Sequence, residues 1–292
     1  MKKSVIQLKE ILLIALFMVA SVVSLNAQTK NMEKITTGHA PVNGINMYYE
    51  IHGEGAMPLV LIHGGGSTIE STFGNILPLL SAKHKIIAVE LQAHGRTSDR
   101  DAPESFAQDA DDVAALLKYL KVDKANIMGF SNGGSTTMQI AIRHPEVINK
   151  IIVIAGATKR SGFIAGFFEY MPNATIAEMP AFLKKDFLKV TPDEAKLQTM
   201  FEKDKQRMVT FKDWNDDELR GIKAPALFMA GDKDVMTVEH TAEMSRLVPG
   251  GQLIILPGVH GALIGEGGVP STTKGKALIG VSVTLIDEFL SE

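Results

Sequence analysis

Apolar and polar positions along this chain follow two periods in turn. Unbroken apolar runs read as strands buried on both faces: "MPLVLIHGGG" (57–66), "HKIIAVEL" (84–91), "KANIMGFS" (124–131), "INKIIVIAGA" (148–157), "APALFMAG" (224–231) and "GQLIILPG" (251–258). Between them lie helix-periodic runs: "SFAQDADDVAALLKYLKV" (105–122), "NGGSTTMQIAIRH" (132–144), "VEHTAEMSRLV" (238–248) and "GKALIGVSVTLIDEFL" (275–290). The stretch "STFGNILPLLSAKH" (71–84) reads as a helix interrupted at Pro78. Ahead of these, "APVNGINMYYEIHGEG" (40–55) holds Asn43-Gly44 between extended runs, a hairpin signal.

Alternating buried strands and helices predict an α/β fold, with a mostly parallel sheet covered by helices on both faces and antiparallel strands added by the hairpin. The alternation breaks once. From about 159 to 223 the pattern is helical and rich in Met, Phe and Lys, too long for a loop. It is expected to form a small helical cap inserted after one strand. Phe163, Phe167, Phe168, Tyr170, Met171, Met179, Phe182 and Phe187 either form the cap's own core or line a ligand cavity.

Composition narrows the function classes. The 292 residues are 45% apolar and 22% charged, an ordinary globular balance. A net charge of −3 without a long basic run argues against nucleic acid as a partner. The absence of cysteine excludes disulfides, thiolate metal sites and a cysteine nucleophile. Residues 1–27 differ from the rest: Lys2, Lys3 and Lys9 precede "ILLIALFMVASVV", and small residues follow up to Ala27. This predicts a secretory signal peptide cleaved after Ala27, with 28–292 exported to the periplasm or beyond and not left inserted in a membrane. An uncleaved anchor is the alternative.

The candidate chemistry centres on "GFSNGG". Gly129-Phe130-Ser131-Asn132-Gly133 matches G-x-S-x-G at a predicted strand-to-helix junction, where this string makes a sharp turn that lifts a serine above the sheet. The string alone is weak evidence, since a capping serine in a βα turn looks the same. A nucleophilic serine needs a base, and the base needs a carboxylate that orients it. Asp232 and Asp234 follow one late strand and His260 follows the last, in the order serine, acid, histidine. Two backbone N–H donors are also required for a developing oxyanion. Asn132 N–H is one candidate. Gly65 N–H, in "HGGG" (63–66), is the other, with Gly64 and Gly66 as neighbouring alternatives. His63 precedes the nucleophile and reads as a loop-stabilising residue.

These residues resemble the α/β-hydrolase superfamily, in particular its serine hydrolases and esterases. "VNGINMYYEIHGEGAMPLVLIHGGG", "ELQAHGRTSD", "IMGFSNGG", "PALFMAGDKDVM" and "LPGVHG" occur in the family's order across nearly the whole chain beyond residue 27. The resemblance implies an eight-stranded sheet and places the acid at the end of a G-x-x-D turn, which here is Asp234, with Asp232 as a turn former. It implies that "AHGRTSD" (93–99) is a structural turn and His94 a structural histidine. Glu90 and Gln92 depart from the family's usual Asp and Pro, away from the triad.

The implied activity is hydrolysis of a small ester or lactone through an acyl-enzyme on Ser131, with a Ser131-Asp234-His260 triad, an oxyanion hole of Gly65 and Asn132, and no metal or cofactor. Alternatives on the same scaffold are C–C bond hydrolysis, N-terminal peptide cleavage, and a small-ligand-binding relative without useful turnover. No phosphate-loop or H-E-x-x-H string is present. Ser271-Thr272-Thr273-Lys274 matches S-x-x-K but lacks the companion strings of penicillin-recognising enzymes.

Overall fold

One eight-stranded sheet organises the residues that the computed structural model describes, 35–269 and 272–292. The expected signal peptide and Ser271 lie outside them. The strands are β1 (Thr36–Val42), β2 (Ile45–His52), β3 (Leu59–Ile62), β4 (Ile86–Val89), β5 (Ala125–Phe130), β6 (Ile148–Ile154), β7 (Ala226–Lys233) and β8 (Gln252–Val259). Their order in space is β1-β2-β4-β3-β5-β6-β7-β8. β1 pairs antiparallel with β2, and β2 with β4; every other pairing is parallel. The hairpin turns at Asn43 and Gly44 with φ of 42° and 88°, the doubly left-handed geometry that Asn-Gly suits.

Alternate residues of the central strands feed two separate cores. Val60, Ile62, Ile127 and Val153 face one side, under α3 (Phe106–Tyr119) and α4 (Asn132–Arg143). Leu61, Met128, Ile152 and Met229 face the other, under α1 (Ile69–Phe73), α2 (Leu77–Ser81) and α10 (Thr273–Ser291). Burial on both faces explains the unbroken apolar runs. The run 71–84 spans the end of one short helix and all of a second. Pro78 sits in the first turn of α2, where its missing N–H costs no helical bond.

Between β6 and β7 the described residues make four α-helices: α5 (Phe167–Tyr170), α6 (Ala181–Val190), α7 (Glu194–Val209) and α8 (Asp216–Arg220). We refer to this segment as the cap. It docks on the loop after β4 through polar contacts: Thr191 Oγ1 donates to Gly95 O at 2.5 Å, and Lys203 Nζ reaches Asp99 Oδ1 at 2.6 Å and Ala102 O at 2.9 Å. After β7 the chain forms α9 (Val238–Leu247) before returning as β8.

Candidate active site

The order of the strands decides where the chemistry gathers. β3 is followed in the chain by β4 on one side and in space by β5 on the other. Chain connections therefore diverge at the β3/β5 boundary, and a crevice opens at the carboxyl ends of these strands. The loop His63–Gly66 leaves β3 there and Ser131 leaves β5, with Asp234 following β7 and His260 following β8.

Ser131 caps α4 with φ of 56° and ψ of −119°, a conformation that costs a non-glycine residue about 1–3 kcal/mol. Its surroundings enforce it. Ser131 N–H donates to Ile154 O at 2.8 Å, tying the turn to β6. The flanking glycines leave no room for a side chain: a Cβ on Gly129 would lie 1.9 Å from Gly133 O, and one on Gly133 would lie 2.2 Å from Ile62 O. Close packing of α4 against β3 and β5 thus requires both glycines of G-x-S-x-G, and the strained serine between them presents Oγ at the crevice.

Ser131, His260 and Asp234 come together from three strand ends. His260 Nε2 lies 3.2 Å from Ser131 Oγ, and His260 Nδ1 lies 2.6 Å from Asp234 Oδ1. The carboxylate accepts only, so Nδ1 carries a proton and Nε2 is left with a lone pair facing the serine hydroxyl. Met236 N–H donates to Asp234 Oδ1 at 3.2 Å and steadies the carboxylate, which is 8% exposed. Burial opposes a charge on His260, but the hydrogen bond and charge of Asp234, with a contribution from Glu266, outweigh it and raise its pKa above the usual 6.5. Asp232, expected as a turn former, lies within β7 instead and accepts the Gly258 N–H at 2.8 Å, binding β7 to β8.

Gly65 and Asn132 line the cavity beside Ser131, and neither N–H has a hydrogen-bond partner among the described residues. Gly66 differs: its N–H donates to Asp204 Oδ2 at 2.5 Å, which removes it as an alternative donor. His63 is fully buried; its Nδ1–H donates to Gly64 O at 2.7 Å while Nε2 accepts the Leu91 N–H at 3.0 Å. Both nitrogens are thereby used in a neutral ring, and burial, with the nearby His94 charge, lowers its pKa to about 3.

Asp204 was not among the residues that the sequence singles out. It projects from α7 into the crevice, and besides Gly66 it takes a 2.9 Å contact from His94 Nε2. His94 Nδ1 faces the Gln92 carbonyl at 2.8 Å. Both ring nitrogens face acceptors, so His94 is an imidazolium. Burial works against that charge, but Asp204, then Glu104, more than offset it and raise the pKa to about 9. Arg207, one turn further along α7 and 5% exposed, lies 2.9 Å from both Glu104 and Asp109. Removing one partner from such an enclosed set costs about 3–5 kcal/mol, so these charges hold the cap helix to the sheet domain. The signal for Asp204 in the sequence is faint: it lies three residues after Phe201 and four before Met208, a lone acid in an apolar helical stripe.

A cavity of about 340 Å³ separates the cap from Ser131 and His260. Phe163, Phe167, Tyr170, Met171 and Met179 line it, whereas Phe187 is fully buried within the cap and Phe168 packs on Phe163 and Phe211. A second cavity, about 320 Å³, shares Ser131 and His260 with the first and is lined by Phe130, Phe182, Val259 and Glu266. Ser131 therefore stands where two chambers meet.

A family model described as alpha/beta hydrolase fold matches residues 57–189. Over 225 residues the chain is 26% identical to the dihydrolipoyllysine-residue acetyltransferase component of the acetoin cleaving system of Pseudomonas putida, covering 72% of this chain and 60% of that protein. Over 123 residues it is 33% identical to the human (Homo sapiens) serine hydrolase BPHL, covering 41% of this chain and 42% of that protein. The chain thus matches less than two thirds of the length of these curated relatives. Its fold superposes on the enol-lactonase from Burkholderia xenovorans LB400 with a TM-score of 0.66 at 22% identity, covering 87% of this chain and 100% of that one.

Proposed function

We propose that this chain, which belongs to the α/β-hydrolase fold superfamily, hydrolyses a small carboxylic ester or lactone through an acyl-enzyme on Ser131. The observation that carries the reading is the relay from Ser131 Oγ to His260 Nε2 and from His260 Nδ1 to Asp234. In this mechanism Ser131 Oγ attacks the ester carbonyl as His260 Nε2 takes its proton. The resulting oxyanion is held by the Gly65 and Asn132 N–H groups, and Asp234 stabilises the imidazolium. His260 then returns the proton to the leaving oxygen as the C–O bond breaks. A water molecule, deprotonated by His260, attacks the acyl-enzyme, and the acid departs as Ser131 regains its proton.

Two chambers meeting at Ser131 suit an ester, which carries one group on each side of its scissile bond. The apolar lining of the larger chamber favours a hydrocarbon portion there. Hydrolysis of p-nitrophenyl esters of graded acyl length tests the reading. Turnover is expected, and kcat/KM is expected to fall as the pH drops through the pKa of His260, because a protonated Nε2 cannot accept the serine proton. The midpoint should lie above 6.5, in keeping with the direction of the shift. Absence of turnover with every ester and lactone offered would overturn the proposal.

A further inference from the structure

We propose that Asp204 of the cap is a positioning residue for the oxyanion hole: one carboxylate ties both halves of the hole and makes their geometry depend on a docked cap. This rests on the serine-hydrolase reading above. The loop Gly64–Gly66 has three consecutive residues without a Cβ, so sterics alone do not restrict it to one conformation. Four side-chain contacts hold it among the described residues. His63 Nδ1–H donates to Gly64 O at 2.7 Å and Ser67 Oγ–H to Gly65 O at 3.2 Å. Both donors belong to the same loop. The third, Gly66 N–H to Asp204 Oδ2 at 2.5 Å, is the shorter of two contacts to other elements, the other being His94 Nε2 at 3.3 Å. It restrains the peptide joined through the Gly65 Cα to the one bearing the Gly65 N–H. The second oxygen, Asp204 Oδ1, accepts from Asn132 Nδ2 at 3.3 Å and restrains the residue that supplies the other donor.

Several features keep the carboxylate in place. The His94 imidazolium donates to it, and Arg207 and Lys203 bind the same helix to Glu104, Asp109 and Asp99. Phe201, Lys205 and Met208 lie beside Asp204 on the helix and line the larger cavity. A substrate filling that cavity therefore bears on the helix that sets the hole. The charged and titratable groups around His94 are Asp204 and Arg207 from α7, Glu104 from the loop before α3, Asp109 from α3, and His63 from the loop after β3. When His94 loses its proton, near pH 9, one ring lone pair is left facing an acceptor oxygen and the clamp weakens.

The test compares wild type with Asp204→Ala and Asp204→Asn, using a p-nitrophenyl ester and phenylboronic acid, whose tetrahedral adduct on Ser131 places an oxygen in the hole. Asp204→Ala is expected to lower kcat about 100-fold with KM nearly unchanged, the pattern of an interaction made only in the transition state. The boronate inhibition constant should rise by a similar factor. Asp204→Asn keeps an oxygen for Gly66 N–H. It should recover part of kcat and move the alkaline limb of the wild-type profile to lower pH. Nearly unchanged kcat in Asp204→Ala, or a loss of kcat without weaker boronate binding, would overturn the proposal. If Asp204→Ala does not fold, a wild-type kcat and an unmoved alkaline limb in Asp204→Asn would overturn it. Failure of the serine reading itself shows separately, as inactivity of the wild type or full activity of Ser131→Ala.

Discussion

Replacing Ser131 with alanine is expected to lower kcat about 10⁶-fold, the scale on which loss of a triad nucleophile acts. The size of the effect follows from what remains. Without Oγ no acyl-enzyme forms, and only the oxyanion donors and binding act on the substrate, leaving about 10³–10⁴-fold catalysis over water. The substitution isolates chemistry from folding. Alanine keeps the Cβ, so the strain at φ of 56° is the same in both proteins. The Oγ has no hydrogen-bond partner among the described residues other than His260, whose Nε2 loses that contact but lines the cavity. Steady-state kinetics on a p-nitrophenyl ester, alongside a thermal melt that should match wild type, measure this. A Ser131→Ala variant within tenfold of wild type would remove the serine from the mechanism.

The second large effect separates two acids only two residues apart. Asp234→Asn is expected to lower kcat about 10⁴-fold, as when a triad acid becomes an amide that favours the wrong imidazole tautomer. Asp234 Oδ1 contacts His260 Nδ1 at 2.6 Å, and its charge is a main cause of the raised His260 pKa. Asp232→Asn should stay within a few-fold of wild-type kcat, because an amide oxygen still accepts the Gly258 N–H. Its effect belongs to stability, at about 1 kcal/mol or less for one hydrogen bond at a strand end. Paired kinetics and urea titrations of the two variants decide the matter. Comparable loss of kcat in both would contradict the assignment.

Much of this was legible in the sequence, for a physical reason. Central strands buried on both faces must be apolar throughout, so β3 to β7 announce themselves. Polar residues at their carboxyl ends then stand out as chemistry at a sheet edge. Asp232 and Asp234 could not be separated that way. They lie two apart, the strand period, so the G-x-x-D resemblance alone pointed to Asp234, and the hydrogen bonds to Gly258 and His260 distinguish the two in the fold. The cap was legible as helical but not in its interior. Phe163 and Phe187 occupy similar apolar patterns in the sequence, yet one lines the cavity and the other is sealed in a cluster of cap residues packed on Ala93. Asp204 was hidden for a different reason. It sits among Glu202, Lys203 and Lys205 in a charged run, and its partner His94 lies 110 residues earlier. A buried ion pair of such long range has no periodicity to reveal it. His94 is buried in its loop, in keeping with a structural histidine, but its charge also reaches the site.

Whether Ser131 is an activated nucleophile is decided by covalent capture. The purified protein is treated with a fluorophosphonate, and its peptides are mapped by mass. One adduct per chain is expected, on Ser131, formed rapidly in wild type and absent from the Ser131→Ala variant. A folded wild-type protein that takes no label, or takes it on a different residue, would contradict it.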